Sequence, residues 1–311
     1  MKEYILFGAG YEGRRLLNIL GKESVECFCD NIKNGQIIEN IPVIGFSELC
    51  DRAGDFKVVI AVQKPKYVDE IKHQLEREKI CYIEMPKLIE YLGYDKSEMK
   101  YDGELYFWKE AMKKNKRKET DAYYRKFMIS LANEVTDDFT KGKVLADFGC
   151  GPRGSLTWAY KAEFRLGIDV LVPKYFNEFG DEMIGHNMIY VTSTEKYIPI
   201  PDNKVDCLIT MNSLDHVDSL HDMCNELLRI MKPGGVLLGS FNLYEPRTEC
   251  EPQTLDEYKL KDTLLKNMEV ESLKYAYMDE DAPYKRMFDG NYVDKPDGKC
   301  PCVMWVKARK K

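Results

Sequence analysis

The segment that most constrains this chain covers residues 144–154, where a strand-like apolar run ends in a glycine-rich turn, Asp-Phe-Gly-Cys-Gly-Pro-Arg-Gly. The residues after the turn are compatible with a helix, so we expect a strand, a turn and a helix in that order. Glycine lets the backbone approach a ligand closely, and Asp147 offers hydrogen-bond acceptors at the strand end. Twenty-two residues further on, Asp169 ends the next apolar run. Open α/β sheets commonly hydrogen-bond a ribose diol at that position. The two acids therefore predict a nucleotide-type ligand at the carboxyl edge of a parallel sheet.

An ordered series of motifs follows this pair. Residues 198–203 read Ile-Pro-Ile-Pro-Asp-Asn, residues 205–210 form a strand-like apolar run, and residues 214–218 read Leu-Asp-His-Val-Asp. A Lys-Pro-Gly-Gly turn at residues 232–235 then leads into another apolar run at 236–240. Strands that alternate with helical patterns predict an α/β fold built on a doubly wound parallel sheet.

The series resembles the class I S-adenosylmethionine-dependent methyltransferases of the type 11 kind over essentially all of residues 140–311. The resemblance implies a seven-stranded, doubly wound Rossmann-like sheet and S-adenosylmethionine as the cofactor. It implies that the turn with Asp147, Gly149 and Gly151 wraps the methionine part of the cofactor and that Asp169 holds both ribose hydroxyls. It also places Thr194 and Glu195 beside the adenine, with either side chain open to reach its amine.

Three polar residues follow the next strand, residues 205–210. His216 stands where ligands bind in open α/β sheets, and a histidine can take a proton near neutral pH. We therefore expect His216 to be a general base, with helix capping or substrate positioning as the alternatives. Asp215 would orient it or serve alone, and Asn212 would contact the methionine end of the cofactor. A further set of residues is expected to face the acceptor: Trp108, Tyr123, Tyr124, Arg153, Asn242, Tyr244, Glu245 and 250–252.

The amino-terminal part carries a second, weaker fingerprint. Gly8, Gly10 and Gly13 fit the pattern G-x-G-x-x-G, and Asp30 ends the next strand-like run. The segment resembles the small Rossmann-like domains joined to bacterial sugar- and polysaccharide-modifying enzymes. The resemblance implies a nucleotide or nucleotide-sugar site formed by these four residues. A degenerate scaffold or a dimerisation module stays open as the alternative, and a homodimer is one expected assembly.

Both halves of the chain predict doubly wound Rossmann-like sheets. We expect a small domain at residues 1–95 and a methyltransferase domain at residues 140–311. Between them, residues 96–139 would be a linker and helical lead-in, because residues 93–103 are polar and lose periodicity while residues 104–133 have a helical pattern.

Composition argues against several classes of protein. The 46 basic and 52 acidic residues give a net charge of −6, which disfavours a nonspecific nucleic-acid binder, and the basic runs at 113–118 and 307–311 are short. The ten cysteines form no C-x-x-C pair, so we expect reduced thiols and no metal, and a zinc site from the 27/29 and 300/302 pairs is disfavoured. No apolar run is long enough to span a membrane and no signal peptide is recognisable, so a cytoplasmic location is expected.

Together these observations favour a methyltransferase that acts on a small molecule or a sugar or glycan precursor, such as a nucleotide-sugar in polysaccharide biosynthesis. One alternative is an NAD(P)-dependent oxidoreductase that uses the first glycine fingerprint. Another is a non-catalytic sensor that binds a nucleotide or S-adenosylmethionine. Methylation of RNA would require a steep salt dependence that an acidic chain rarely offers.

Overall fold

The structure is a computed structural model that describes residues 2–94, 96–113, 116–279 and 282–311. It divides into two compact units, residues 1–103 and 104–311. Part of the basic strip that was singled out at 113–118, namely residues 114 and 115, lies outside the described residues.

The first unit is a six-stranded sheet with helices between its strands. Its elements are β1 (Tyr4–Phe7), α1 (Tyr11–Leu20), β2 (Val25–Cys29), β3 (Ile37–Ile38), β4 (Ile41–Ile44), α2 (Phe46–Arg52), β5 (Lys57–Ile60), α3 (Pro65–Arg77), β6 (Tyr82–Glu84) and α4 (Met85–Tyr91). The strand order is β3-β4-β2-β1-β5-β6, and neighbouring strands are parallel except β3 with β4.

The second unit contains a seven-stranded sheet. Helix α5 (Lys96–Met112) crosses the division between the units, and the remaining elements are α6 (Arg117–Leu131), β7 (Val144–Phe148), β8 (Phe164–Asp169), α7 (Val172–Ile184), β9 (Ile189–Thr192), β10 (Val205–Met211), α8 (Leu220–Ile230), β11 (Met231–Leu243), α9 (Glu257–Asp262), β12 (Met268–Tyr277), α10 (Lys285–Phe288) and β13 (Cys302–Lys310). The order is β12-β13-β11-β10-β7-β8-β9. The predicted α/β fold class with two Rossmann-like sheets is confirmed.

Each sheet has a point where its strand order reverses. In the second unit the chain runs from β7 through β8 to β9 on one side and then crosses to β10 on the other side of β7. In the first unit the same reversal separates β1 from β5. Ligands of open α/β sheets bind beyond the carboxyl ends of the strands at such a switch point. A ligand of the second unit is therefore expected at the loops after β7, β8 and β10.

Both faces of the seven-stranded sheet are buried. Leu145 of β7 packs on the face that also carries Phe127 and Trp305, whose ring centroids are 5.2 Å apart. The next residue, Ala146, packs on the opposite face with Leu237. Parallel strands that are covered on both sides read as continuous apolar runs, which is why this strand was recognisable in the sequence. The packed sheet holds the loops at its carboxyl edge in place.

The connection from β7 to β8 differs from the expectation. The sequence suggested a helix after the glycine-rich turn, but residues 151–158 form a series of turns instead. Pro152 lacks a backbone donor, and Gly154 has a φ of +69°, outside the right-handed helical region. The turn is therefore shaped by its own backbone and by packing, without a helix dipole behind it.

Three further details correct the sequence interpretation. Helix α5 starts within residues 93–103, which were expected to be an irregular linker. Strands β3 and β13 run antiparallel to their neighbours, so neither sheet is wholly parallel. The Lys-Pro-Gly-Gly segment is an irregularity inside β11, where the register with β10 shifts between Val205 and Cys207. No described helix combines the length and the apolar composition that crossing a bilayer requires.

Candidate functional site

The glycine turn after β7 packs against side chains of its own unit. Gly149 and Gly151 have φ angles of +73° and +56°, a conformation that favours glycine. A Cβ at position 149 would lie 2.2 Å from the Cβ of Ser213, and one at 151 would lie 2.4 Å from the indole of Trp108. Close packing within the protein accounts for both glycines, so the pattern alone does not report a ligand.

Asp147 is buried beneath this turn, with 2% of its surface exposed. Its Oδ2 accepts a hydrogen bond from the Ser155 hydroxyl, while Oδ1 has no partner among the described residues. Burial, with a contribution from the negative charge of Asp169, raises the pKa of Asp147 to about 7 against the opposing hydrogen bond from Ser155. An acceptor oxygen is therefore buried here without a donor.

Asp169 ends β8 and is held by two backbone groups. The N–H of Gly151 donates to its Oδ2 at 3.1 Å, and the N–H of Leu171 donates to its Oδ1 at 2.9 Å. Burial raises the pKa of Asp169 to about 6, so the carboxylate is mostly ionised at neutral pH. Each oxygen keeps a second lone pair, which gives the two acceptors that a ribose diol needs.

The end of β10 is tied to the end of β7. The Ser213 hydroxyl donates to the carbonyl of Phe148 at 2.7 Å and lies 3.0 Å from the Thr210 hydroxyl. The neighbouring Asn212 has a φ of +50°, and its buried Oδ1 has no partner among the described residues. Asn212 thus places a second unpaired acceptor beside the switch point.

The two residues expected at the adenine lie in the loop after β9. The Thr194 hydroxyl accepts hydrogen bonds from the N–H groups of Lys196 and Tyr197, at 3.2 and 3.0 Å, so it closes its own turn. Glu195 accepts from the N–H of Asp218 at 3.2 Å, which connects this loop to the one after β10. The adenine role of both residues stays a prediction.

His216 follows β10 and is paired with an acid from α5. Its Nδ1 lies 2.6 Å from Oε1 of Glu104, and its Nε2 lies 3.8 Å from Oδ1 of Asp215 and 3.9 Å from Oε1 of Glu251. Burial lowers the pKa of His216, but these three carboxylates outweigh it and raise the pKa to about 9. These carboxylates therefore favour the protonated ring, and the role of His216 as a general base stays a prediction.

Asp215 is more deeply buried than His216, with 4% of its surface exposed. Its Oδ1 has no hydrogen-bond partner among the described residues. Burial raises the pKa of Asp215 to about 6, and Glu251 adds to this while the charge of His216 opposes it. Nearby, Asn242 donates from Nδ2 to Oε2 of Glu245 at 2.8 Å, and burial raises the pKa of that carboxyl. This side of the site is rich in carboxylates.

Several sequence-predicted residues of the second unit thus interact with one another at the carboxyl edge. Gly151 bonds directly to Asp169, and the negative charge of Asp169 contributes to the raised pKa of Asp147. The positive charge of His216 partly opposes the effect of burial, which raises the pKa of Asp169. The hydroxyl of Thr194, by contrast, is engaged in its own turn.

Three residues of this site were missed by the sequence interpretation. Ser155 bonds Asp147 from eight residues away, Ser213 joins two strand ends, and Glu104 is 112 residues from its partner His216. Local spacing carries no signal for the last of these. Glu104 was recognisable only as the start of a helical pattern.

Arg153 was expected to be able to face a substrate and instead packs on α5. It donates from Nη2 to the carbonyl of Ala111 at 2.7 Å, and its guanidinium lies 5.6 Å from the centre of the Trp108 ring system. Tyr124 is buried in the core, whereas Tyr123 is 46% exposed. Trp108 is the expected lining residue that directly contacts the glycine turn.

In the first unit, Asp30 has a pattern of bonds similar to that of Asp169. Its Oδ2 accepts from the N–H of Ala9 in the glycine turn at 2.9 Å, and its Oδ1 accepts from the N–H groups of Ile32 and Lys33 at 2.9 and 3.0 Å. These bonds lower the pKa of Asp30 although burial opposes them.

The three glycines of the first fingerprint differ in their surroundings. A Cβ at Gly13 would lie 1.8 Å from the carbonyl oxygen of Gly8, and a Cβ at Gly8 would lie 2.6 Å from that of Ala61, while Gly10 has no heavy atom within 4 Å of that position. Gly10 therefore leaves room at the turn. Ligand binding here stays a prediction.

Residues 146–239 match the family model of a methyltransferase domain. The expected methyltransferase resemblance is confirmed for this segment. The resemblance of the first unit to sugar-modifying enzymes is not confirmed and stays a prediction.

Two curated relatives match part of the chain. The ubiquinone/menaquinone biosynthesis C-methyltransferase UbiE of Saccharophagus degradans is 27% identical over 113 residues, which are 36% of this chain and 42% of that protein. An uncharacterized methyltransferase of Mycobacterium leprae is 26% identical over 104 residues, 33% of this chain and 38% of that protein. The chain thus spans less than half the length of these relatives.

A solved structure, an S-adenosylmethionine dependent methyltransferase from Mesorhizobium loti, is also similar. It is 15% identical, with a TM-score of 0.43, and the match covers 58% of this chain and 96% of that one.

Proposed function

We propose that residues 104–311 form an S-adenosylmethionine-dependent methyltransferase. The observation that carries the proposal is the set of buried acceptors at the carboxyl edge of the sheet. Oδ1 of Asp147 and Oδ1 of Asn212 have no donor among the described residues, and Asp169 keeps free lone pairs on both oxygens. Buried acceptors normally have partners, so these oxygens call for a ligand rich in donors.

S-adenosylmethionine fits that requirement. It carries an ammonium group, a ribose diol and an adenine amine as donors, and its sulfonium is positive. In the proposed complex Asp169 accepts from the diol, and Asp147 and Asn212 provide acceptors for the methionine end. The sulfonium supplies an activated methyl group, so the chain contributes mainly by holding the acceptor in line and excluding water.

The acceptor is proposed to be a small molecule or a sugar or glycan precursor. The carboxylates of Asp215, Glu245 and Glu251 give the acceptor side a negative character, which suits a neutral polyol or a cation and disfavours a nucleic acid. The first unit is proposed to bind a nucleotide-sugar at Gly10 and Asp30. The bonding pattern that Asp30 shares with Asp169 supports this assignment.

A labelled-methyl assay tests the proposal. The full chain is incubated with methyl-tritiated S-adenosylmethionine and a panel of nucleotide-sugars, free sugars and small polyols. The proposal predicts labelled product with at least one acceptor and none with Asp169→Asn. Cofactor binding without turnover on any acceptor would favour the sensor alternative. Binding of NADH that is lost in Asp30→Asn, without S-adenosylmethionine binding, would favour the oxidoreductase.

A further inference from the structure

His216 lies among three carboxylates that come from three separate segments. Glu104 belongs to α5, Asp215 follows β10, and Glu251 lies in the loop after β11. Because the segments are distant in the chain, the fold itself assembles the cluster. Sequence reasoning considered only cysteine pairs as metal ligands and therefore expected no metal.

The Glu104 pair fixes which nitrogen of His216 is available. Nδ1 is 2.6 Å from Oε1 of Glu104, a hydrogen bond that orients the ring. Nε2 consequently points toward Oδ1 of Asp215 and Oε1 of Glu251, at 3.8 and 3.9 Å. Histidines that bind metals almost always use their other nitrogen in this way, donating to a carboxylate that sets the tautomer.

The distances on the Nε2 side suit a shared ion better than direct bonds. Separations of 3.8 and 3.9 Å are too long for hydrogen bonds. The three ligand atoms nevertheless all lie within 4.8 Å of one another. Ligands at about 2.1 to 2.5 Å from one ion stand no more than about 5 Å apart, so a cation at the centre can reach all three with small side-chain movements.

Asp215 provides an observation that is independent of the cluster's composition. Only 4% of its surface is exposed. Its Oδ1, the atom that faces Nε2 of His216, has no hydrogen-bond partner among the described residues. A buried carboxylate oxygen without a partner is costly, whereas coordination to a cation satisfies it.

We propose that Asp215, His216 and Glu251 bind a divalent transition-metal cation, with Glu104 as the positioning residue for His216. One imidazole nitrogen with two carboxylates suits Mn²⁺, Fe²⁺ or Zn²⁺, while Ca²⁺ and Mg²⁺ prefer oxygen ligands alone. Binding of the cation displaces the proton on Nε2 of His216 to solvent, while the Nδ1 hydrogen bond to Glu104 is kept. Three protein ligands leave coordination positions open to oxygen atoms of an acceptor. That last role rests on the proposed function, but the cation site does not.

The test measures Mn²⁺ binding to the full chain without any cofactor. The protein is stripped with a chelator, dialysed and titrated with Mn²⁺, and free Mn²⁺ is followed by electron paramagnetic resonance. We expect one saturable site. Glu251→Gln should weaken it at least tenfold, and Glu104→Gln should weaken it about 10- to 100-fold although it removes no ligand. The matched control is Glu163→Gln, an exposed acid before β8, which should bind as the unchanged protein does.

Several results would overturn the inference. One is the absence of saturable Mn²⁺ binding, and another is equal affinity in Glu251→Gln and the unchanged chain. The side chain of Glu251 is 32% exposed, so this variant should fold, and urea unfolding checks that it does. S-adenosylmethionine binding without Mn²⁺ binding would reject the cation site and leave the proposed function standing. The reverse result would support the site and reject the function.

Discussion

The buried histidine behind the glycine turn makes stability depend on pH in a calculable way. His186 is 3% exposed, its ring fills the space beside Gly154, and its Nδ1 is joined to the Tyr190 hydroxyl at 2.5 Å. Nε2 has no partner among the described residues. Burial, helped by the positive charge of Arg117, lowers the pKa of His186 to about 4.

The direction in which stability changes with pH follows from proton linkage. Unfolding exposes a histidine whose pKa is about 6.5. Between pH 6.5 and 4 the unfolded chain therefore binds a proton at this residue, whereas the folded chain does not. Its contribution to stability is complete above pH 6.5 and is lost as the pH falls toward 4. At about 1.4 kcal/mol per pH unit, the full loss is about 3 kcal/mol. Asp147 and Asp169 have raised pKa values and therefore act in the opposite direction, favouring the folded state as the pH falls.

The assay compares the unchanged chain with His186→Phe by urea unfolding between pH 7.5 and 4.5. Tryptophan fluorescence reports the second unit, because the three tryptophans are Trp108, Trp158 and Trp305. The shared carboxyl contributions cancel in the difference. As the pH falls from 7.5 to 4.5, the free energy of unfolding of His186→Phe should rise by about 2 to 3 kcal/mol relative to that of the unchanged chain.

The control is His221→Gln, which removes a histidine whose side chain is 73% exposed. Its unfolding free energy should follow that of the unchanged chain. A free-energy difference between His186→Phe and the unchanged chain that stays constant with pH would refute the reasoning.

Two other substitutions test the packing around the site by urea unfolding. Gly149→Ala should lower the free energy of unfolding by at least about 1 kcal/mol, because the residue has a positive φ and its Cβ would meet Ser213; an unchanged midpoint would contradict this. Arg229→Met should cost about 1 to 3 kcal/mol, because the guanidinium bonds Glu226, Asp202 and two backbone carbonyls; a variant as stable as the unchanged chain would show that these bonds add nothing.

The strands at the switch point could be predicted because their signals are local. A buried strand reads as an apolar run, and the polar residues and glycines at the ends of β7, β8 and β10 break that run sharply. Asp147, Asp169 and Asn212 consequently fall at the edge that the sequence indicated. The α/β class followed from the same alternation of runs.

The contacts that give those residues their chemistry could not be predicted. The proton affinity and ring orientation of His216 depend on Glu104, which is 112 residues away and has no spacing relation to it. Likewise, the glycine at 151 is explained by the indole of Trp108. The missing helix after β7 also depends on the positive φ of Gly154. Glycine permits this conformation but does not require it, so the sequence alone does not predict it.

The central claim is that the second unit binds S-adenosylmethionine through Asp169. Calorimetric titration of the full chain with S-adenosylmethionine and S-adenosylhomocysteine tests it directly, beside Asp169→Asn and the control Asp206→Asn. Asp206 also accepts a backbone N–H, from Val144 at 2.9 Å, but lies at the amino end of β10.

We predict saturable binding in the unchanged chain. The Asp169→Asn loss should be at least about 100-fold, since charged hydrogen bonds contribute about 1.5 to 3 kcal/mol each and a diol makes two. Asp206→Asn should keep the affinity of the unchanged chain. No saturable binding of either ligand by the unchanged chain, or equal affinity in Asp169→Asn, would contradict the claim.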